Sequence, residues 1–365
     1  MKPISHKRKA VAALVVAAAM YGCSSPRDIA WSFATPRRWV LGGDSQALTP
    51  AVDHNLAFFC GGYAEKQRSQ LYAIDVGTGQ SKWQYKVGDC ASPPLICGDL
   101  VVTFAFAAES DRIMVYGIDK DSGRQKWRVE LPGNPHPPPP AVVGGFVFFA
   151  PGSRRILRID ARDGSVQTFD IDPDLSGAPE NFWVVAAPGE AIFGSGKSFW
   201  RAPIDVDKAE QGPSLGEPAG NPSAVGSDGH ILFLGDEDGN LRAFDLRKGT
   251  VLWRDHWSKI ASAPALADGK IFLNICEQKC ALVALALSSG QELWRIPEGS
   301  TYPPYWQSGR LYVAVGRAVL AVNVESGKVE WRFDAPEEVT TTPVPVENLV
   351  LFGTVQGALY AAKAH

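Results

Sequence analysis

Apolar residues come in short blocks, each set off by turns of Gly, Asp, Asn and Pro, with no sustained helical period. A Pro followed by an apolar run, a Gly/Asp/Asn turn and a second apolar run recurs from one end of the chain to the other. The unit heads are Pro50-Ala-Val, Pro94-Leu-Ile, Pro140-Ala-Val, Pro179 before Phe182-Trp183-Val184, Pro222, Pro264-Ala-Leu, Pro304-Tyr-Trp and Pro343-Val, at intervals of 39 to 46 residues. Short apolar runs bounded by turn residues predict strands. Eight units of about 42 residues match the period of a four-stranded propeller blade.

The second half of each unit is more sharply defined. Ala73-Ile-Asp75-Val-Gly-Thr78-Gly79-Gln-Ser-Lys-Trp83 fits A-x-D-x-x-T-G-x-x-x-W throughout. The pattern returns in Asp119…Ser122-Gly123…Trp127, Ala243…Asp245…Lys248-Gly249…Trp253, Ala284…Ser289-Gly290…Trp294 and Ala321…Asn323…Ser326-Gly327…Trp331. The third unit keeps Asp160 and Gly164 but puts Thr168, beside Phe169, in the Trp slot; the fourth, around Phe199-Trp200-Arg201, has lost the pattern. The run before the Asp predicts a half-buried strand, and Asp-x-x-Ser/Thr-Gly a hairpin turn. There Gly supplies a positive φ and the Asp side chain accepts nearby backbone N–H groups. The Trp is expected to open the outer strand and wedge its ring between neighbouring blades.

These copies resemble the tryptophan-docking repeat of the quinoprotein-like (pyrroloquinoline-quinone-type) β-propellers, over nearly all of residues 28–365. The resemblance implies an all-β fold: an eight-bladed β-propeller of four-stranded antiparallel blades. After Pro343 only three strands remain, while Asp28-Ile-Ala-Trp31-Ser-Phe33-Ala-Thr-Pro36 reads like Val329-Glu-Trp331-Arg-Phe333-Asp-Ala-Pro336. The N-terminal strand is therefore expected to complete the C-terminal blade and leave the ring without an open edge. That makes 28–365 one domain, although 365 residues would otherwise suggest two or three.

Residues 1–22 read as a signal peptide. Lys2, Lys7, Arg8 and Lys9 precede the uncharged Ala10–Met20 stretch, which is too short to span a bilayer. Tyr21-Gly22-Cys23 then resembles a bacterial lipoprotein processing site, with Met20 and Tyr21 departing from the usual residues. Lipidation of Cys23 is expected, with plain secretion as the alternative. Residues 23–27 would be a tether of at most about 18 Å. The formal charge of −3 drops to −7 once the four basic residues of the leader are gone. Attachment to a membrane would then come through lipid, not charge, and nothing basic marks a nucleic-acid partner.

The other cysteines are 60, 90, 97, 276 and 280. Cys276 and Cys280 flank a three-residue hairpin loop, within disulfide reach in an oxidising compartment. Cys97 ends the first strand of blade two, about 23 Å from Cys90, whereas Cys60 ends the second strand of blade one on the same face as Cys90; Cys60 and Cys90 form the second expected pair, which leaves Cys97 free. Gly194-Ser-Gly196-Lys197-Ser198 lacks the first glycine of a phosphate loop and sits between strands, so it predicts a hairpin turn. Asp236-Glu-Asp238-Gly239-Asn240 likewise predicts a solvated turn and not a calcium loop. Histidines 54, 136, 230, 256 and 365 have no metal-ligand spacing, and Pro137–Pro140 predicts a rigid inter-blade connection.

Quinoprotein dehydrogenases, by the same resemblance, use adjacent cysteines and a calcium-held cofactor, and no two cysteines are adjacent here. No catalytic, cofactor-binding or metal residue is therefore assigned, and no cofactor is expected. The resemblance implies a non-enzymatic scaffold: an outer-membrane lipoprotein facing the periplasm, in an envelope protein complex such as the outer-membrane β-barrel assembly machinery. A propeller binding a protein or glycan in another envelope complex is the alternative, and a quinone-dependent oxidoreductase a third reading.

Overall fold

A computed structural model describes residues 28–34, 49–61, 69–106, 112–132, 139–151, 155–170, 182–215, 222–236, 238–257 and 259–364. Cys23, the leader and the tether lie outside these residues, as do His136 and His365. The described strands form eight antiparallel sheets, and none of the described residues is α-helical. Seven sheets are built from consecutive strands: blade one runs from Ala51 to Lys86, and blade seven from Tyr305 to Asp334. Blade eight combines Val344–Val346, Leu349–Gly353 and Ala358–Lys363 with the N-terminal Ile29–Ala34, which pairs antiparallel to Ala358–Lys363.

Blade two departs slightly from four strands. Its inner position is split into Asp89–Cys90 and Leu95–Cys97, both paired to Leu100–Phe106. Ser92-Pro93-Pro94 separates the two pieces, because proline has no N–H to donate to the ladder.

Eight hydrophobic clusters form the core, and each fills the seam between two successive blades. One joins Phe59 and Ile74 of blade one to Leu351 and Leu359 of blade eight, which closes the ring. This placement corrects the half-buried strand expected before the turn Asp. In blade one Leu71, Tyr72, Ala73 and Ile74 are all buried, because a middle strand is covered by a neighbouring blade on each face. Alternation appears instead in the outer strands, such as Ser81–Lys86, where one face meets solvent.

The seams are sealed by a repeated device. The Trp83 ring of blade one lies over Gly123 in the turn of blade two, and its Nε1–H donates to Lys120 O at 2.9 Å. Trp127 lies over Gly164 and donates to Ala161 O, Trp253 over Gly290 and to Leu287 O, Trp294 over Gly327 and to Val324 O. Trp31 does the same across the closure, over Gly79 and to Val76 O at 2.6 Å. A Cβ on Gly79 would sit 2.6 Å from the Trp31 ring, and φ is +72° there. Glycine is needed both for the turn and for the ring above it.

Two local features aim the indole. Trp83 is not the first residue of its strand but the third, directly after a β-bulge that places it opposite Ala73. Trp31, Trp127, Trp253, Trp294 and Trp331 each follow a bulge in the same way. A bulge re-aims a side chain, here toward the next blade. The residue opposite is always small: Ala361, Ala73, Gly117, Ala243, Ala284 or Ala321.

The turns themselves are held by the Asp side chain. Asp75 Oδ1 accepts from Thr78 N and Oγ1 at 3.0 and 2.9 Å, and Asp119 Oδ1 from Ser122 N and Oγ at 2.9 and 2.7 Å. In blade seven Asn323 Oδ1 makes the same bonds to Ser326. Hydrogen bonds from the Ser122 hydroxyl, then from its N–H, hold the Asp119 carboxyl down at about 2. A folded pKa below the ordinary 3.8 means the stabilisation is complete above that pH and is lost as pH falls through about 2. Asp119→Ala should cost about 1 kcal/mol, and Asp119→Asn less than half of it at pH 6. The gap between the parent and Asp119→Asn, read from urea midpoints, should narrow between pH 6 and pH 3. A gap independent of pH would contradict the assignment.

Candidate functional site

Blades three and four, which adjoin, have no Trp in the docking slot, while Trp331 of blade seven keeps the bulge and packs beside Phe333 against the blade seven–eight cluster. In blade three the outer strand Val166–Asp170 has no bulge, so Gln167, and not Thr168, falls opposite Arg158. Thr168 therefore does not occupy the Trp slot expected from its spacing to Gly164. Position by position, Arg158 stands where Ala73 stands in blade one, two residues before the turn Asp. Blade four has Arg201 at the equivalent place, opposite Glu210. Blades with a docked Trp keep Ala or Gly there; the two without it carry Arg.

Arg158 replaces the indole chemically. Its side chain, only 10% exposed, packs its guanidinium over the Phe146 and Phe169 rings at 4.8 and 5.6 Å. It crosses the seam to donate to Val206 O at 2.9 Å and Ile204 O at 3.4 Å, and pairs with Asp207 Oδ1 at 2.9 Å. Ile204 O is the counterpart of the carbonyl that accepts the indole N–H elsewhere. Gln167 Nε2 adds a bond to Asp207 O at 3.0 Å. Arg201 stays within its own blade, paired with Glu190 by two bonds at 2.8 and 2.5 Å. At the next seam Pro213 takes the place of the ring over Gly249.

A guanidinium is narrower than an indole, and the seam between blades three and four is incompletely filled. A cleft of about 340 Å³ remains. Its floor is Phe169, Phe193 and Trp200, the last two stacked at 6.1 Å and 12°. Asp170, Asp207 and Gln211 are among the groups at its rim. The outer strand of blade four is only Glu210–Gln211, so this side of the blade is less covered than in its neighbours.

The remaining sequence candidates fall as follows. Cys60 is joined to Cys90 and Cys276 to Cys280, with Cα separations of 6.5 and 4.0 Å. The first bridge ties blade one to the start of blade two; the second staples a hairpin tip. Cys97 is a buried free thiol whose pKa burial pushes up to about 12, which leaves it inert as a nucleophile. Gly196-Lys197 is a turn between Glu190–Ser195 and Ser198–Pro203. Asp236 caps its own turn by accepting from Asn240 N at 2.8 Å. His54 rests on Asp53 at 2.7 Å, and His256 on Asn240 at 3.1 Å. Among the described residues no group of three or more His, Cys, Asp or Glu is placed to hold a metal ion.

The sequence model of the family described as "Outer membrane protein assembly factor BamB" matches residues 27–169, 184–295 and 278–365. The chain belongs to the BamB family. BamB of Nitrosomonas eutropha is 28% identical over 138 residues, 37% of this chain and 32% of that protein. The serine/threonine-protein kinase AfsK of Streptomyces griseus is 29% identical over 150 residues, 37% of this chain and 18% of that protein. The chain thus spans a third or less of the length of these curated relatives.

Solved structures show the fold. BamB from Moraxella catarrhalis superposes with a TM-score of 0.62 at 15% identity, covering 92% of this chain and 99% of that one. The designed Ika8 protein reaches 0.69 at 16%, covering 90% and 99%. A europium-containing methanol dehydrogenase reaches 0.59 at 13%, covering 92% and 93%. One ring therefore serves an assembly factor, a designed protein and an enzyme, so the fold alone does not assign a role.

Arg158→Ala should cost about 2–3 kcal/mol, because it removes a nearly buried guanidinium from two aromatic rings and takes the charged donor from the part-buried Ile204 carbonyl. Arg158→Lys should recover less than half of that, since an ammonium cannot stack on two rings and span the same acceptors. Urea midpoints of the two variants measure this. Full recovery by lysine would show that charge alone suffices.

Proposed function

We propose that this protein is a non-enzymatic propeller scaffold of the cell envelope, binding a protein partner during assembly of outer-membrane β-barrel proteins. The carrying observation is the BamB family match, which extends over nearly the whole ring and not over one blade. The architecture suits such work. Eight seams close on one another through Trp31, so the disc presents its turns and outer strands in a fixed geometry. The outer strands also display edges and side chains to solvent, among them Leu252 and Leu293, 38% and 45% exposed on neighbouring blades. Exposed strand edges and apolar side chains are what one polypeptide uses to hold another.

In this reading Cys23 becomes the lipidated first residue, and the short tether keeps the ring at the periplasmic face of the outer membrane. The partner is a protein of the barrel-assembly machinery. The test is purification of the full-length chain from the envelope under mild detergent, with mass spectrometry of what accompanies it. A barrel-assembly component recovered in stoichiometric amount is the expected outcome. A different envelope complex, recovered reproducibly and without any such component, would overturn the proposal. Turnover of a dye after loading with pyrroloquinoline quinone and calcium would overturn the non-enzymatic half.

A further inference from the structure

The seams of this ring report what their frame is shaped to hold. At five of them an indole sits between blades, its face on a turn glycine and its ring N–H on a backbone carbonyl. The blade three–four seam is built from the same strands in the same order, but its own chain supplies Gln167 and Arg158 in place of a ring. Arg158 satisfies the carbonyls at the turn end. Farther out, toward Asp170 and Gln211, about 340 Å³ stays open.

The walls of that space are specific. The exposed edges of Phe169 and Trp200, 6% each, form the apolar base of the cleft, and the fully buried Phe193 backs them from beneath. Flat rings favour another flat ring, offset or edge-on. The rim is polar: the Asp170 and Asp207 carboxylates, 81% and 86% exposed, pair with Arg155 and Arg158, and Lys208 and Gln211 lie beside them. The remaining carboxylate and amide lone pairs can accept from a ring that also carries an N–H or O–H.

We propose that the blade three–four cleft is a receptor for one aromatic side chain, tryptophan or tyrosine, presented by a partner polypeptide. The partner would complete from outside the seal that the chain makes for itself at five other seams. For its partner the proposal rests on the scaffold reading; for its chemistry it rests on the cleft alone. Blade four's shortened outer strand leaves the approach open along Gln211.

The probe is N-acetyl-L-tryptophanamide, titrated against the full chain and followed by ligand-observed NMR and calorimetry, with N-acetyl-L-leucinamide as the comparison. Saturable binding in the millimolar range is expected, at least tenfold tighter than the leucine amide. Ala209→Trp and, separately, Gln211→Trp place an indole at the cleft and should each reduce probe binding at least tenfold. Gln211 lies on the exposed rim, so its variant keeps the test valid even if Ala209→Trp disturbs the turn. No saturation by about 20 mM, equal binding of the leucine amide, or undiminished binding in Gln211→Trp would each overturn the proposal. Probe binding without recovery of any barrel-assembly partner would uphold the cleft and remove only the scaffold reading.

Discussion

The ring depends on one contact: an indole from the outer strand of one blade lying flat on the turn glycine of the next, its N–H tied to the carbonyl beside that turn. The other repeated features serve it. The glycine must be there because a Cβ would enter the ring, and an Asp or Asn, replaced by Ala286 only at the Gly290 turn, holds the turn in place to receive it. The bulge aims the Trp, and an Ala or Gly opposite leaves room for it. Losing a buried Trp such as Trp127 typically costs about 3–5 kcal/mol; the other docked indoles are half-buried and contribute less each, but together they bind the blades of a closed ring into one cooperative body. Trp31 extends the device across the closure, and so ties the chain's N-terminal strand to blade one as well as to blade eight.

Where the contact is absent, the compensation shows what it was supplying. Arg158 reproduces both parts of the indole's role, a flat group on aromatic carbon and a donor to the same carbonyl, but it fills less volume. The cleft follows from that difference. It lies at the part of the ring where the repeat is least regular, and it opens onto the shortest outer strand. In a repeat protein, positions that break an otherwise consistent local rule are where a role beyond packing is expected. The scaffold reading gains a defined place from this, since the cleft beside Arg158 marks one edge of the disc.

The fold was legible in the sequence because its signals are local. A Gly four residues before a Trp, after an Asp turn, needs no long-range knowledge to read, and its copies gave blade number, turn geometry and closure together. Cys276 and Cys280 were legible for the same reason, as flanks of a short hairpin; Cys60 and Cys90 needed only the direction of their strands. Spacing failed where it depended on a bulge: counting from Gly164 put Thr168 in the Trp slot, while the unbulged ladder puts Gln167 opposite Arg158. A usable signal was present on the third strand, where the Ala or Gly that faces the Trp elsewhere gives way to Arg158 and Arg201. The cleft itself was not legible, because it is a missing volume between strands far apart in sequence and only packing reveals it.

Amide hydrogen exchange around the ring tests most directly whether indole docking is what holds the blades. Ser81–Lys86 and Val166–Asp170 each pair at five positions within their sheets, so a difference between them reports the seams. Indole docking predicts that Ser81–Lys86, which bears a docked Trp, exchanges at least tenfold more slowly than Val166–Asp170. Equal protection in the two would contradict it, and would mean that the ladders within each blade, not the indoles between them, set the stability of the ring.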